Sequence, residues 1–593
     1  MAPNISVNTI LNDEFSIYPG KCMNYDVFLY QNRIEYCKKT GTNGSDKQVV
    51  IDFVDVVGCH CFEERDRVSL NKKRPKNEEI NVAFFCLYYY PRYNDVRQRQ
   101  VVVFRVNKYE TFDQNLQIAK KWRTAILHIL RGGIVQAEDV DNLSVPLRRK
   151  MLVFVNPFSG TRRAELIFRN KVEPLFNEAD IETNLIITER QFHARDFVQT
   201  EDLKPYNGIV IISGDGLVYE VLNGLMARND RQDALKIPIG IVPGGSGNAL
   251  TACVLSAERD SYRKNAILHS AFTIAKGGSQ PMDLVKVQTP TVSSYSFLCI
   301  SWAMISDIDI ESERLRSWGP IRFLLSAIIR TIRLRRYKGR LSYLPVKDTT
   351  RYKEHFRIPL QQVENDFRQT SLRSSKSLPS LESTDPQLIG VRPLNKSISM
   401  APSFPSSLPN QYASDSLCDL AQIKEDETQH VNGTKNSVKD KTNDVTSQFS
   451  PDNESDGTLL SPIDQPVPDN WVSVEGEFIG FCAVYTSHIS QDAYMWPGRK
   501  SDEGVICIQY VMAPLSRKSI AALLLGFDDA SHTQSDVLRT VFAEAFRLES
   551  LEPDRGILTI DGEALERGTA SIQAEVIQNK FHIIRPGNGA TAS

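Results

Sequence analysis

Apolar and polar positions change rhythm three times between residues 150 and 250, each time in the same way. MLVFVNPFSG (Met151 to Gly160), GIVIISGDGL (Gly208 to Leu217) and IPIGIVPGGSGN (Ile237 to Asn248) each carry an uncharged, β-branched run into a turn of small residues, and an amphipathic stretch follows. Leu152 to Val155, Ile209 to Ile212 and Ile239 to Val242 have the composition of parallel strands buried on both faces. The pattern predicts three strand–loop–helix units of an open α/β sheet. Their loops leave the carboxyl ends of the strands together and converge on one crevice.

Upstream, short apolar runs alternate with polar turns at Tyr25 to Tyr30, Val49 to Val57, Val82 to Tyr90 and Val101 to Val106. A helical pattern then runs from Thr111 to Leu130 and places Leu116, Ala119, Trp122, Ile126 and Leu130 on one stripe. Antiparallel strands closed by one tryptophan-bearing helix resemble a pleckstrin-homology-like module. A cap packed on the catalytic part is the other reading.

Downstream, Met282 to Gln288 and Tyr295 to Ile300 read as strands, followed by the acidic run Ser306 to Glu313. Read as a strand, the run projects Asp307, Asp309 and Glu311 to one side, and a solvated edge would carry the same pattern. Ile321 to Lys338 reads as one helix, apolar at Leu324, Leu325, Ile328, Ile329 and Ile332, and basic at Arg330, Arg333, Arg335, Arg336 and Lys338. Such helices bind calmodulin or anionic membranes, and a core helix with arginines on its solvent face looks the same. From 347 to 468 Ser, Pro, Asn, Asp and Thr dominate, which predicts a disordered insertion. Its Ser450-Pro451, Ser461-Pro462 and Arg368 to Ser371 fit short phosphorylation patterns.

Strand-like runs resume at Trp471 to Thr486, Val505 to Val511, Phe542 to Leu548, Gly556 to Ile560 and Phe581 to Ile584. The insertion therefore interrupts a domain. The expected architecture is α/β plus all-β. Residues 1–140 form the pleckstrin-homology-like module, and 149–281 a three-layer α/β nucleotide-binding domain. Residues 282–346 and 469–587 make an antiparallel β-sandwich that binds lipid, and 588–593 are a tail.

Composition narrows the function. Seventy Lys and Arg against seventy-two Asp and Glu give no global field for nucleic acid. The first residues lack a secretory pattern and no stretch reaches eighteen uninterrupted apolar residues, so peripheral membrane association is the available kind. Ten cysteines, several in apolar contexts, fit a reducing compartment. Cytosol with recruitment to membranes, the plasma membrane first, is the expected location. Cys59-His60-Cys61 does not match paired zinc-ligand spacing.

Glycine in the three turns lets backbone N–H groups face a phosphate with no Cβ in the way, although a tight strand-to-helix turn also uses glycine structurally. Ser213-Gly214-Asp215-Gly216 sets one carboxylate at the crevice mouth, where it could deprotonate a hydroxyl or help hold a cation. The sequence contains neither a P-loop nor the protein-kinase motif set.

VNPFSG, SGDGLVYEVLNGLM, VPGGSGNAL, DIDIESE and the late IDGE occur in the order and spacing of the sphingosine kinases, lipid kinases of the diacylglycerol kinase catalytic superfamily. Ser213 and Leu217 replace the ends of the G-G-D-G-T motif usual in the outer relatives. The resemblance implies ATP and Mg²⁺ as cofactors, and Asp215 as the base that takes the proton of the lipid's primary hydroxyl. It implies a nucleotide site lined by Asn156, Pro157, Phe158, Thr188, Glu189, Arg190, Gln191, Phe192, Ser213, Gly214, Gly216, Glu220, Gly245, Ser246 and Gly247. Arg316 and Arg322 would grip the phosphates. Asp561, Gly562 and Glu563 would complete the site, with Asp215 and Glu563 at the metal. Asp309, with Asp307 beside it, would recognise the amino head group. Thr161-Arg162-Arg163 and Ser301-Trp302-Ala303-Met304 depart from the family's usual patterns, so chain-length preference stays open.

The reading is a kinase of sphingosine-like bases that docks on membranes. Ceramide or diacylglycerol kinase is the neighbouring alternative, and a membrane-recruited scaffold is the third. Only a sphingoid base supplies a cation for Asp309. Calmodulin at Ile321 to Lys338 and a homodimer stay open.

Overall fold

Alternating burial in the first hundred residues builds an antiparallel sheet. The computed structural model describes residues 8–19, 23–38, 48–62, 81–258, 260, 262–318, 321–350, 352 and 458–585. Its first strands are β1 (Leu11–Tyr18), β2 (Asn24–Leu29), β3 (Arg33–Lys38), β4 (Gln48–Asp52), β5 (Val56–Phe62), β6 (Ala83–Tyr89) and β7 (Gln100–Val106). They lie in the order β4-β3-β2-β1-β7-β6-β5. The expected Val49 to Val57 strand is two strands, because a turn at Phe53 to Asp55 breaks it. Helix α1 (Phe112–Leu130) closes the sheet with the expected stripe, and fully buried Trp122 stacks on Phe85 at 5.7 Å.

This unit is seated on the next one through buried ion pairs. Arg97, itself 7% exposed, reaches Asp260 at 3.6 Å and Asp55 at 3.1 Å, and its guanidinium lies 3.7 Å above the Phe272 ring. Arg92 adds a 2.7 Å contact to Asp260, and Arg99 one of 2.6 Å to Glu178. Arg123 and Arg148 share buried Asp180. At Gly58 an added Cβ would fall 2.0 Å from the Glu178 carbonyl oxygen, so the two units touch backbone to backbone.

The three repeated units fold as expected. β8 (Arg149–Val155), β9 (Ile181–Ile187), β10 (Gly208–Ser213) and β11 (Ile239–Pro243) are parallel in the order β9-β8-β10-β11. β10 leads into α2 (Asp215–Met226), and β11 into α3 (Ala249–Ala257) and α4 (Tyr262–Lys276). Every residue of β10 and β11 is buried, which explains their uncharged sequences.

The antiparallel part is β12 (Gln280–Gln288), β13 (Ser293–Ser296), β14 (Cys299–Ala303), β15 (Tyr337–Pro345), β16 (Val472–Val484), β17 (Ile506–Met512), β18 (Arg539–Ser550), β19 (Leu558–Ile560) and β20 (Ser571–Ile583). These strands pack around a core of their own that includes Trp302, Tyr337, Phe481 and Phe546. One sheet of 14 strands holds them together with the parallel strands. The long β20 makes the joint, pairing with β18 and β12 along its length and with Ile239 of β11 through Ile583. The expected boundary at 281/282 falls inside β12.

Two other expectations change. The acidic run is a helix, α5 (Met304–Ser312), so Asp307 and Asp309 lie on different faces while residues four apart share one. Ile321 to Lys338 is not one helix: α6 ends at Ile332 (Ile321–Ile332), and β15 begins at Tyr337. Its polarity is also inverted. Arg322 and Arg330 are buried, whereas Leu324, Ile328 and Ile332 are 57%, 49% and 60% exposed. Arg335, Arg336 and Lys338 lie beyond the helix. The last helix used below is α7 (Arg517–Leu525).

Most of the expected insertion, with its 368–371 and 450–451 motifs, lies outside the described residues, as does the tail. Its end is packed. Buried Arg547 donates to the carbonyls of Ser461 and Pro462, Glu575 accepts from Thr458 and Leu459, and Leu460 is buried.

Arg97→Ala is expected to destabilise the chain by on the order of 3 kcal/mol, because it strips one cation from buried Asp260. Urea unfolding measures this. A change below about 1 kcal/mol, the size of an exposed pair, would show that the interface does not depend on it.

Candidate active site

Backbone alone sets the geometry where the parallel strands end. Gly160, Gly214 and Gly245 come from three different loops and fit against one another with no room for side chains. A Cβ on Gly160 would lie 2.7 Å from the Gly244 oxygen, one on Gly214 2.6 Å from the Gly247 oxygen, and one on Gly245 2.5 Å from the Gly214 Cα. Gly160 also has φ +51°. The Gly244 N–H donates to the Ser213 carbonyl (2.9 Å) and the Asp215 N–H to the Gly247 carbonyl (3.1 Å), so the second and third loops are stitched together.

Asp215 opens α2 and turns its carboxylate to the start of α3. The Ala249 N–H donates to Oδ2 at 2.6 Å and the Leu250 N–H to Oδ1 at 3.1 Å. These are helix-terminal amides with no partner inside their own helix, a natural seat for an anion. Burial nevertheless lifts the Asp215 pKa to about 6, against the two amides that lower it. Each oxygen keeps a further lone pair for a donor in the cleft. The carboxylate is therefore held in one place, with its pKa raised toward neutrality.

The opposite wall comes from the antiparallel part. The turn after β19 brings Glu563 against the first wall, since a Cβ on Gly216 would stand 2.9 Å from Glu563 Oε1. Asp561 holds that turn. Its carboxylate accepts from Ser296 Oγ (2.6 Å) and from the N–H groups of Phe297, Leu298 and Cys299 (3.0, 2.9 and 3.0 Å). Asp309 on α5 lies next to Gly562, whose added Cβ would be 3.5 Å from Asp309 Oδ2. Burial raises the Asp309 pKa to about 7, with Arg322 opposing and Glu313 and Glu563 adding to the rise. Glu220, on the loop side, is likewise raised to about 7 by burial.

Between the walls lies a cavity of about 1350 Å³. One end is polar, lined by the glycine loops. The other is apolar, lined by Ile305 and Ile308 of α5, Phe323, Leu324, Ala327, Ile328 and Ile332 of α6, and Leu524 and Leu525 of α7. The exposed residues of α6, together with Leu525 at 74% exposure, form its outer rim.

Most of the residues expected at the site converge. Asn156, Gln191, Phe192, Ser213, Gly214, Asp215, Gly216, Glu220, Gly245, Ser246, Gly247, Asp309, Arg322, Asp561, Gly562 and Glu563 all line the cavity. Pro157, Phe158, Thr188, Glu189 and Arg190 are not in its lining. Phe158 is 62% exposed, buried Thr188 bonds the Val155 carbonyl, and Arg190 pairs with Asp196. Asp307 is withdrawn: it is 1% exposed, bonded to the Tyr337 hydroxyl and paired with Arg335 at 3.3 Å. Helical rather than strand spacing turns it away from Asp309. The Arg316 side chain lies outside the described residues.

Among the described residues no three His, Cys, Asp or Glu side chains cluster as a metal site. The two carboxylates expected at the metal, Asp215 and Glu563, both line the cleft and come from its opposite walls. That fits Mg²⁺ carried by phosphates, which commonly takes one or two carboxylates from a protein. Sequence reasoning missed the apolar half, including Glu313, Phe323 and α7. The Ile520 to Leu525 run was the available signal, with Ile520 and Leu523 turned to the core and Leu524 and Leu525 to the cavity.

Residues 150–287 match the family described as the diacylglycerol kinase catalytic domain. The chain is 31% identical to sphingosine kinase 2 of Homo sapiens over 96% of this chain and 91% of that protein. It is 28% identical to sphingosine kinase 1 of Rattus norvegicus over 76% of this chain and 92% of the relative. Sphingosine kinase 2 of Arabidopsis thaliana is 41% identical over 35% of this chain and 42% of its own length.

Gly245→Ala is expected to separate the second and third loops. In steady-state kinetics the nucleotide KM should rise at least tenfold while thermal unfolding stays within a few degrees of wild type. An unchanged KM would mean that the loops do not need their contact.

Proposed function

This chain belongs to the sphingosine kinase family, and we propose that its cleft transfers the γ-phosphate of ATP to the primary hydroxyl of sphingosine-like bases with Asp215 as general base. It is a lipid kinase. The observation that carries the mechanism is the buried Asp215 carboxylate, held by two amides beside three interlocked glycine loops. In the step, the lipid hydroxyl oxygen bonds to the γ-phosphorus as the bond to the ADP oxygen breaks, and the hydroxyl proton passes to Asp215. Phosphoryl transfer asks the protein mainly for position and charge, which the loop N–H groups and Arg322 would supply. Mg²⁺, when bound, would neutralise phosphate charge, and Glu563, with Asp215 opposite it, would hold it.

Asp309 favours a sphingoid base over the alternatives. It sits at the junction of the polar and apolar ends of the cavity, where a cationic amine would stand if the chain of the lipid lay against Ile305, Ile308 and Phe323. Ceramide's amide and diacylglycerol carry no such cation. The apolar rim on α6 and α7 points to entry from a bilayer: Leu324, Ile328, Ile332 and Leu525 would sit among acyl chains with the cavity mouth between them. The arginines of α6 face inward, so this docking would be apolar before it is electrostatic.

Asp215→Asn should lower kcat on sphingosine by about 10²–10⁴, the contribution of a positioned general base. Asp309→Asn should raise the lipid KM by tenfold or more. Both carboxylates act when ionised, so activity is full above their pKa values and is lost as pH falls. kcat/KM for the lipid should drop through pH 7 for Asp309 and again through pH 6 for Asp215. Asp215→Asn keeping more than a tenth of kcat would overturn the base assignment. In a second assay, Leu324→Glu with Leu525→Glu should slow turnover of sphingosine in vesicles at least fivefold more than turnover in detergent micelles. Equal loss in both would remove the docking role.

A further inference from the structure

Helix α5 and Glu313 just beyond it present two carboxylate pairs at helical spacing, and each pair meets a different arginine. Asp307 and Glu311 both contact Arg335, at 3.3 and 3.0 Å, on the side away from the cavity. Asp309 and Glu313 both face Arg322: the Arg322 guanidinium bonds Glu313 and stands 4.0 Å from Asp309 Oδ1. Arg322 is 3% exposed, its Nε has no hydrogen-bond partner, and its guanidinium lies 4.3 Å over the Phe323 ring. Arg322, Asp309 and Glu313 all line the cavity.

A phosphate at the glycine loops would compete with Glu313 and Asp309 for the N–H groups of the Arg322 guanidinium. Standing 4.0 Å from Asp309, Arg322 neutralises part of its charge, so an incoming ammonium must compete with a guanidinium already in place. A polyphosphate at the glycine loops offers Arg322 a stronger, bidentate partner. Once Arg322 turns to it, Asp309 is left without its cation. Glu313 is 44% exposed and holds the other side of the same guanidinium. It keeps Arg322 from leaning wholly on Asp309.

We infer that Arg322 exchanges ion-pair partners during binding, so that nucleotide and lipid strengthen each other's binding, and that Glu313 is a positioning residue that sets the size of this coupling. The inference rests on the reading given above, in which Asp309 takes the amine and Arg322 the phosphates. It adds Glu313 and a preferred order, nucleotide before lipid. Linkage requires the effect to be reciprocal: sphingosine must tighten nucleotide binding by the same factor.

The test is equilibrium binding of radiolabelled sphingosine in neutral detergent micelles to the full chain, with and without saturating β,γ-imido-ATP and Mg²⁺. Wild type should bind sphingosine about tenfold more tightly with the nucleotide, within the usual range of coupling between two sites. Glu313→Gln should weaken sphingosine binding several-fold without nucleotide, because Arg322 then rests on Asp309 alone, and should match wild type with it. The coupling factor therefore rises in the variant.

Equal sphingosine affinity in the two states of wild type overturns the inference. So does an equal loss in both states of Glu313→Gln, which would make Glu313 a plain ligand of the amine. Asp309→Asn and Arg322→Gln separate this failure from that of the underlying reading. If Asp309→Asn keeps wild-type sphingosine affinity, or Arg322→Gln keeps wild-type nucleotide affinity, the site assignment itself fails. Loss in both controls with no coupling in wild type retains the site and removes only the exchange.

Discussion

Two amide hydrogens at the start of a helix decide where the reactive carboxylate stands. The Ala249 and Leu250 N–H groups hold Asp215, and they can do so only because the loops before α2 and α3 approach to backbone contact. That approach excludes any Cβ at Gly214 and Gly245, which is why glycine recurs there. It also buries the carboxylate, and burial moves its pKa toward neutrality, where a base is most useful. Sequence, loop geometry and acidity are thus consequences of one contact.

The rest of the molecule is arranged around that fixed point. The parallel strands deliver the loops to one edge, and β20 joins them to the antiparallel part so that Glu563 and Asp309 arrive from the other side in the same sheet. Asp561 performs for the second wall what α3 performs for the first: buried, it gathers three amides and a hydroxyl and fixes the turn that carries Gly562 and Glu563. The apolar half of the cavity needs no such precision, because a hydrocarbon chain asks only for continuous nonpolar walls. The amino-terminal unit is joined to the α/β part through Arg92 and Arg97 on buried Asp260 and Arg123 on buried Asp180.

What could be read from the residues followed the range of the interaction. The three loops were legible because a β-branched run, a glycine turn and a following helix are local signals, and the sixteen expected site residues that line the cavity stand on those loops, the turn after β9, α2, the IDGE turn, α5 and α6. Asp307 was misplaced by a local ambiguity: alternation of period two and a helix of period 3.6 both fit DIDIESE, and only packing against Arg335 and Tyr337 decides for the helix. Helix α6 was inverted for the same reason, since its arginines find carboxylate partners at Glu311 and Glu313 that no pattern within α6 announces. The pairing of Arg92 with Asp260 joins residues 168 apart, and nothing in either stretch foretells the other.

The most direct measurement is the initial rate of γ-³²P transfer from ATP to sphingosine, ceramide and diacylglycerol presented in the same mixed micelles, with the position of the new phosphate read by fragmentation mass spectrometry. The account predicts sphingosine as the preferred acceptor by tenfold or more, phosphorylated on its primary hydroxyl. Preference for ceramide or diacylglycerol, or phosphate on the secondary hydroxyl of sphingosine, would contradict it.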